Sequence, residues 1–450
     1  MVKHIWQGRT IARWWPDDKR WECRKPFDLF LSPPGEAIAP SSRLAMPVPS
    51  PEMALLLSCL HPPGVNQHAN REGISARIDP EINWAILLGL AREHRVLPLV
   101  HHWLSRVPRV PGAVLEELKR YQLRITAFNM RASSELTSLL GTFSDEGLTV
   151  IPVKGPVLAM RAYGSTSLRQ YEDLDFVVPF GHLLQARDTL VKKGYTLVGM
   201  PDSPLHRAYL KTLQDWVFYN ESRRHLVDIK PVLLSHLTSR QTDVDWLKTT
   251  LQPLIMDHHS IQAPNRIGML IVSCMHGTNN VWCKASLLAD VAALAGQMDS
   301  SEWNTLLADA AAIGKTNDVL IGLGLARDIL GLELPERVKE CRDWDSRIDS
   351  LLAMAAGKLI QQGRLESSRE AWNFERKTRV NRTDAWRCIY RYVLVPGTVE
   401  WGLFKLPPAL AFVYTLVRPI RLLGDLMFPC RKRGTVHSLA EHQAKGGKSF

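Results

Sequence analysis

Asp173, Asp175 and Asp228 are the residues of this chain best placed to do chemistry. The first two stand in Glu172-Asp173-Leu174-Asp175-Phe176-Val177-Val178. Apart from its acids this run is apolar and β-rich, so it predicts a strand, and side chains two apart on a strand share one face. Two carboxylates on one face suit a hard divalent cation, which takes oxygen ligands and leaves room for phosphate oxygens. A third carboxylate is expected from a neighbouring strand. Asp228, in Leu226-Val227-Asp228-Ile229, is the candidate. A charge among such apolar neighbours is costly if left alone, so it needs either a metal ion or an ion pair with Lys230, Arg223 or Arg224.

Upstream, Leu148 to Val153 predicts a short buried strand, with Pro152 restricting its pairing to one side. Lys154-Gly155 ends it. Pro156 suits the first position of a helix that runs to Tyr163 and stops at Gly164. Gly155 therefore falls at a helix N-terminus, where free N–H groups attract anions and the lack of a side chain lets backbone approach phosphate. Lys154 and Arg169, the latter in the polar loop after the helix, add positive charge. Gly164-Ser165 is a rival glycine turn, but it follows a helix instead of a strand. Strand, Lys-Gly, helix, basic loop, Asp-x-Asp strand and a later strand aspartate together form a set able to hold a metal-bound nucleotide.

The rest of the chain must position that set. Its 450 residues are enough for several domains, and 45 % apolar with 22 % charged residues describes a globular protein. A net charge of +11 favours anionic partners such as nucleotides, nucleic acid or anionic lipid. The 7 cysteines are scattered, with no Cys-x-x-Cys pair, which argues against a disulfide framework or a zinc site and fits a reducing cytosol. No secretory signal and no membrane-spanning run is expected.

Residues 1–50, rich in Trp, Arg, Pro and Ser, read as a poorly ordered extension, with a nucleic-acid-binding arm as the alternative. Residues 51–144 carry apolar residues at helical spacing and form an N-terminal helical region. Residues 145–235 form the α/β core, which includes a helix over His182–Lys193 and a hairpin of Trp216–Tyr219 with His225–Ile229. Residues 236–365 return to helical patterning, and residues 366–450 form a C-terminal basic and apolar segment. Leu403–Leu423 reads as a helix packed on the core, with contact at a membrane interface as the alternative.

These features resemble the nucleotidyltransferase fold of the DNA polymerase β superfamily. Lys154, Gly155, Arg169, Asp173 and Asp175 are similar to the signature of a large, mostly uncharacterised bacterial nucleotidyltransferase family. The resemblance extends over residues 50–425. Trp84 and Ala91-Arg92-Glu93-His94-Arg95-Val96-Leu97-Pro98-Leu99 look like its N-terminal helices. His276-Gly277 with Trp282 and Asp290 looks like its helical half, and Leu406-Pro407 with Arg418-Pro419-Ile420-Arg421 like its C-terminal segment. Lys230 and Asn280 depart from it, standing where relatives often carry histidine.

The resemblance implies an α+β fold: a small mixed-sheet nucleotidyltransferase core, polymerase β-like, flanked by N-terminal and C-terminal helical regions. It implies a cytoplasmic enzyme that moves a nucleoside monophosphate, AMP from ATP, to an acceptor hydroxyl or phosphate and releases pyrophosphate. Asp173, Asp175 and Asp228 would bind two Mg2+ ions, Asp228 would also help deprotonate the acceptor, and Lys154, Gly155 and Arg169 would hold the triphosphate. His276 would line the acceptor side or simply pack. The acceptor would be a small molecule, saccharide or peptide, with nucleic acid less favoured. The alternative is a non-catalytic nucleotide-binding scaffold, or a biosynthetic partner peripheral to the inner membrane through residues 386–433.

Overall fold

The computed structural model describes residues 47–64, 67–198, 216–231, 241–341, 346–361, 368–379, 382–396, 398–403 and 406–427. Most of the extension assigned to 1–50, and the basic run Arg431-Lys432-Arg433, lie outside the described residues.

The N-terminal helices are α1 (Pro51–Ser58), α2 (Gln67–Ala76), α3 (Trp84–Glu93), α4 (Leu97–Leu104) and the long α5 (Gly112–Asp145). Their starts follow capping chemistry. Ser50 accepts the Met53 N–H and Asn83 accepts the Ile86 N–H, each satisfying an orphan donor of the first turn. The core follows as β1 (Ile151–Val153), α6 (Gly155–Tyr163), β2 (Asp173–Val177), α7 (Leu183–Lys192), β3 (Thr196–Leu197), β4 (Trp216–Asn220) and β5 (His225–Lys230). These strands form one mixed sheet in the order β1-β2-β5-β4-β3. The β2–β5 pair is parallel and the other pairs are antiparallel. A parallel pair needs a crossover, and α7, β3 and β4 supply it. Leu174 and Phe176 of β2 alternate away from the aspartates into the core, where Phe143 of α5 meets Phe176 edge-on at 5.9 Å.

After the sheet come α8 (Gln241–Thr249), β6 (Leu251–Met256) and β7 (His259–Pro264). The β6–β7 hairpin interrupts the stretch that reads as helical in sequence. Its two-residue turn, Asp257-His258, has both residues at positive φ. That turn lacks the glycine that usually marks such a hairpin, so the pattern is hard to see. Arg161 of α6 fastens the hairpin to the core by donating to the carbonyls of Pro264 and Gln252, each at 3.1 Å.

The helical half consists of α9 (Arg266–Asn279), α10 (Ala285–Ala295), α11 (Ser300–Ala312), α12 (Thr316–Leu330), α13 (Glu336–Lys339) and α14 (Ser346–Gln361). Beyond it lie α15 (Ser368–Lys377), α16 (Arg382–Leu394), α17 (Thr398–Leu403) and α18 (Val413–Met427). The molecule is therefore α+β, with a small mixed sheet between helical regions.

Trp282 sets the spacing of the helical half. The chain reaches it through Val281 and Trp282 at φ 50° and 55°, unusual for a β-branched and a bulky residue. The indole is fully buried and fills the room left by two glycines. A Cβ on Gly277 would come within 2.5 Å of the ring, and one on Gly322 within 2.8 Å. Gly277→Ala should overpack this contact and destabilise the chain by about 1–3 kcal/mol, read as a lowered Tm. A Tm equal to that of the wild type would contradict the packing.

His94 joins the N-terminal helices to α10. Its ring Nδ1 accepts the Ala285 N–H at 3.1 Å, and its carbonyl accepts the Ser286 N–H at 3.2 Å. Burial, with Lys284 nearby, lowers its pKa to about 4. The folded chain thus keeps His94 neutral, whereas the unfolded chain protonates it near 6.5. The resulting stability is fully present above pH 6.5 and is lost as pH falls towards 4, about 3 kcal/mol in all. In denaturant titrations from pH 7 to 4, His94→Asn, which keeps an acceptor, should remove that part of the slope. An unchanged slope would show that His94 does not carry it.

Candidate active site

The three aspartates meet on one face of the sheet. β2 and β5 pair in register with Asp175 directly opposite Asp228, and Asp173 lies two residues before Asp175 on the same face. Val153, the last residue of β1, pairs with Asp175 on the other side, so the Lys154-Gly155 turn is delivered next to the carboxylates.

That turn is strained. Lys154 has φ 58° and ψ −149°, a region that residues with a Cβ rarely enter, and such a conformation costs about 1–3 kcal/mol. Gly155 also has positive φ, and a Cβ there would lie 3.3 Å from the Asp173 carbonyl oxygen. The backbone at the N-terminus of α6 is thus pressed against the Asp-x-Asp strand. Gly164, the rival glycine, is the left-handed C-cap of α6, and Ser165 caps the short turn that follows.

Two lysines enter the acid cluster. Lys154 Nζ is 3.3 Å from Asp175 Oδ1. Lys230 Nζ is 2.5 Å from the same oxygen and 2.8 Å from Asp228 Oδ2. Lys230 therefore bridges the two facing carboxylates, and the ion pair open to Asp228 in the sequence is formed with Lys230. Arg223 pairs with Glu135 instead. Burial works against the Asp175 charge, but Lys154 and Lys230 outweigh it and hold that carboxyl well below the usual range. Asp173 behaves in the opposite way. Burial and the neighbouring Asp175 push it up to about 6, and among the described residues its carboxylate has no hydrogen bond or ion pair.

Arg169 is positioned from two sides. The buried amide of Asn129 on α5 donates to the carbonyls of Thr166, at 2.6 Å, and Arg169, at 2.8 Å. The Arg169 Nε donates to both oxygens of Asp290 on α10, each at 3.0 Å, and the Tyr163 hydroxyl donates to Asp290 Oδ1 at 3.0 Å. Burial disfavours the guanidinium charge, yet Asp290 raises its pKa overall. Arg169 is thus the buried link between the loop before β2 and the helical half.

His276 of α9 is also brought to the site. Burial, together with Lys154, Lys230 and Arg169, holds its ring well below the ordinary histidine range, against the pull of Asp175. Asn280 Nδ2 lies 3.3 Å from its Nδ1. Sequence reasoning missed Asn129 and Tyr163. For Asn129 a signal existed: it is a polar residue at an otherwise apolar position of α5, in phase with Ala132, Leu136 and Leu139.

The donor set decides what cation the site suits. The candidates are carboxylate oxygens, hard donors of the kind magnesium takes. A divalent ion beside Asp173 would relieve its repulsion with Asp175. Among the described residues, however, no three His, Cys, Asp or Glu side chains are grouped as a complete metal-ligand set. The ammonium of Lys230 already serves two of the three carboxylates.

No curated protein matches the chain. Residues 80–331, more than half of it, match a family described as uncharacterised nucleotidyltransferase. The matched span begins just before α3, takes in His94 and all three aspartates, and runs to the end of α12, so the chain belongs to the uncharacterised nucleotidyltransferase family.

Proposed function

We propose that the chain transfers a nucleoside monophosphate, AMP from ATP, to an acceptor hydroxyl or phosphate and releases pyrophosphate. The observation that carries this reading is the in-register meeting of Asp175 and Asp228, with Asp173 on the same face and the Lys154-Gly155 turn against it. Family membership supports nucleotidyl transfer in general.

In this reading the N–H groups at the start of α6 and the Lys154 ammonium bind the triphosphate. Asp173 and Asp175 hold magnesium, which supplies Lewis-acid stabilisation of charge on the transferring phosphoryl group. Asp228 is the third carboxylate and the base that takes the proton from the acceptor hydroxyl. Lys230 offsets the charge of Asp175 and Asp228, where the resemblance implies two magnesium ions. Arg169, engaged with Asp290, acts on the nucleotide mainly by fixing the loop that precedes β2. His276 is an acceptor-side hydrogen-bonding group. The acceptor is a small molecule, saccharide or peptide, read by the helical half.

The test is magnesium-dependent pyrophosphate release from ATP across a screen of such acceptors, with Asp173→Asn as control. One observation favours a second reading: Lys230 stands where a cation between Asp175 and Asp228 would lie. That arrangement suits a scaffold that binds nucleotide without turning it over. Calorimetry with ATP and magnesium separates the two, since tight binding with no release across the acceptor screen would favour the scaffold.

A further inference from the structure

The helix α18 is built inside out. Its inward face carries Tyr414, Arg418 and Arg421. Arg418 and Arg421 both reach Glu400 of α17, which has no exposed surface, and Arg418 also donates to the Tyr392 carbonyl at 2.7 Å. Its outward face carries Phe412, just before the helix, then Leu416, Ile420 and Leu423, between 56 % (Leu423) and 70 % (Ile420) exposed. These positions follow helical spacing and make one stripe. Arg418 and Arg421 turn towards the protein, and Leu416, Ile420 and Leu423 turn away from it. On α16, Trp386 and Tyr390, one turn apart, are also exposed, at 68 % and 61 %.

An apolar stripe of this kind is out of place in water and fits an apolar surrounding. Charge indicates which. Residues 382–433 hold nine Lys or Arg against three Asp or Glu, so six of the chain's eleven net positive charges fall there. Two copies of the chain would bring two like-charged segments together, whereas an anionic bilayer offers opposite charge to this basic segment and hydrocarbon to the stripe. Trp and Tyr are the side chains that settle at the headgroup level. Among the described residues no helix is long and apolar enough to cross a membrane, so the contact fitted here is peripheral.

We propose that α18 and α16 dock the protein on the surface of an anionic lipid bilayer, with Leu416, Ile420 and Phe412 entering the acyl boundary. The basic run Arg431-Lys432-Arg433, four residues beyond the end of α18 in sequence, adds electrostatic attraction. This inference is independent of the proposed chemistry.

The test is co-sedimentation of the full chain with vesicles of phosphatidylcholine alone or mixed with phosphatidylglycerol. The expected result is binding to the mixed vesicles that weakens with salt. Leu416→Glu with Ile420→Glu should lower it by about 10-fold or more, while thermal unfolding stays at the wild-type temperature because both sites are exposed. Arg431→Ala, Lys432→Ala and Arg433→Ala together should lower binding to the mixed vesicles by about 10-fold or more and leave that to phosphatidylcholine unchanged. No binding to the mixed vesicles, or binding that the glutamate pair leaves intact, overturns the proposal. So does light scattering that shows a dimer dissolved by the glutamate pair without vesicle binding, since the stripe would then join two copies.

Discussion

Asp173→Asn is expected to lower magnesium-dependent pyrophosphate release by about a thousand-fold or more, which corresponds to about 4 kcal/mol of transition-state stabilisation. The same substitution should raise stability at pH 7 by on the order of 1 kcal/mol. The two effects share one cause. Asp173 is the member of the acid cluster that burial and Asp175 push up to about 6. A carboxyl whose pKa is raised on folding favours the folded state below its unfolded value and loses that contribution as pH rises through about 6. An amide removes the penalty together with the charge. The contrast with Asp175→Asn sharpens the test. Asp175 takes both buried ammonium groups, Lys154 and Lys230, so its amide variant leaves Lys154 without its carboxylate and Lys230 with Asp228 alone, and should cost about 3–5 kcal/mol of stability as well as activity. Kinetics and denaturant unfolding on the two variants separate the roles. A rate for Asp173→Asn above a tenth of the wild type would end its assignment as a metal ligand.

Arg169→Ala should destabilise the chain by about 3–5 kcal/mol, and Asp290→Ala by a similar amount, because each leaves the other charge buried without its ion partner. The side chains are 11 % and 3 % exposed, so solvent screening offers little relief. The double variant should cost clearly less than the two singles combined, and the cycle would report a coupling of about 1–3 kcal/mol. Simple additivity would mean that the pair does not hold the loop to α10. Arg169→Lys keeps the charge but loses the planar guanidinium, and should recover only part of the stability.

Much of the core was legible because its signals are local. The period-two alternation places Asp173 and Asp175 on one face, and Lys-Gly-Pro marks the change from strand to helix. Asp228 was legible as an acid in an apolar strand, and the parallel register sets it opposite Asp175. What could not be read concerns partners distant in sequence. Lys230 was visible as one possible partner of Asp228, yet only the strand pairing shows that it also reaches Asp175. Arg169 reads as a cation available to phosphate, and nothing near it announces that its Nε is taken by Asp290, 121 residues away. The β6–β7 hairpin was hidden because its turn uses Asp257-His258 instead of glycine. The outward stripe of α18 was hidden for a related reason. Its apolar spacing suits a packed helix equally well, and only the burial of Glu400 shows which side faces in.

The spacing of these ion pairs has a consequence for synthesis. Lys154 meets a partner 21 residues later and Lys230 pairs back to Asp175 over 55, so the sheet carries its own counter-charges as it leaves the ribosome. Arg169 must wait for α10. The three carboxylates and both lysines are thus complete in the chain before Asp290 is made, so the link from the loop before β2 to the helical half is the last of these pairs to gain its partner.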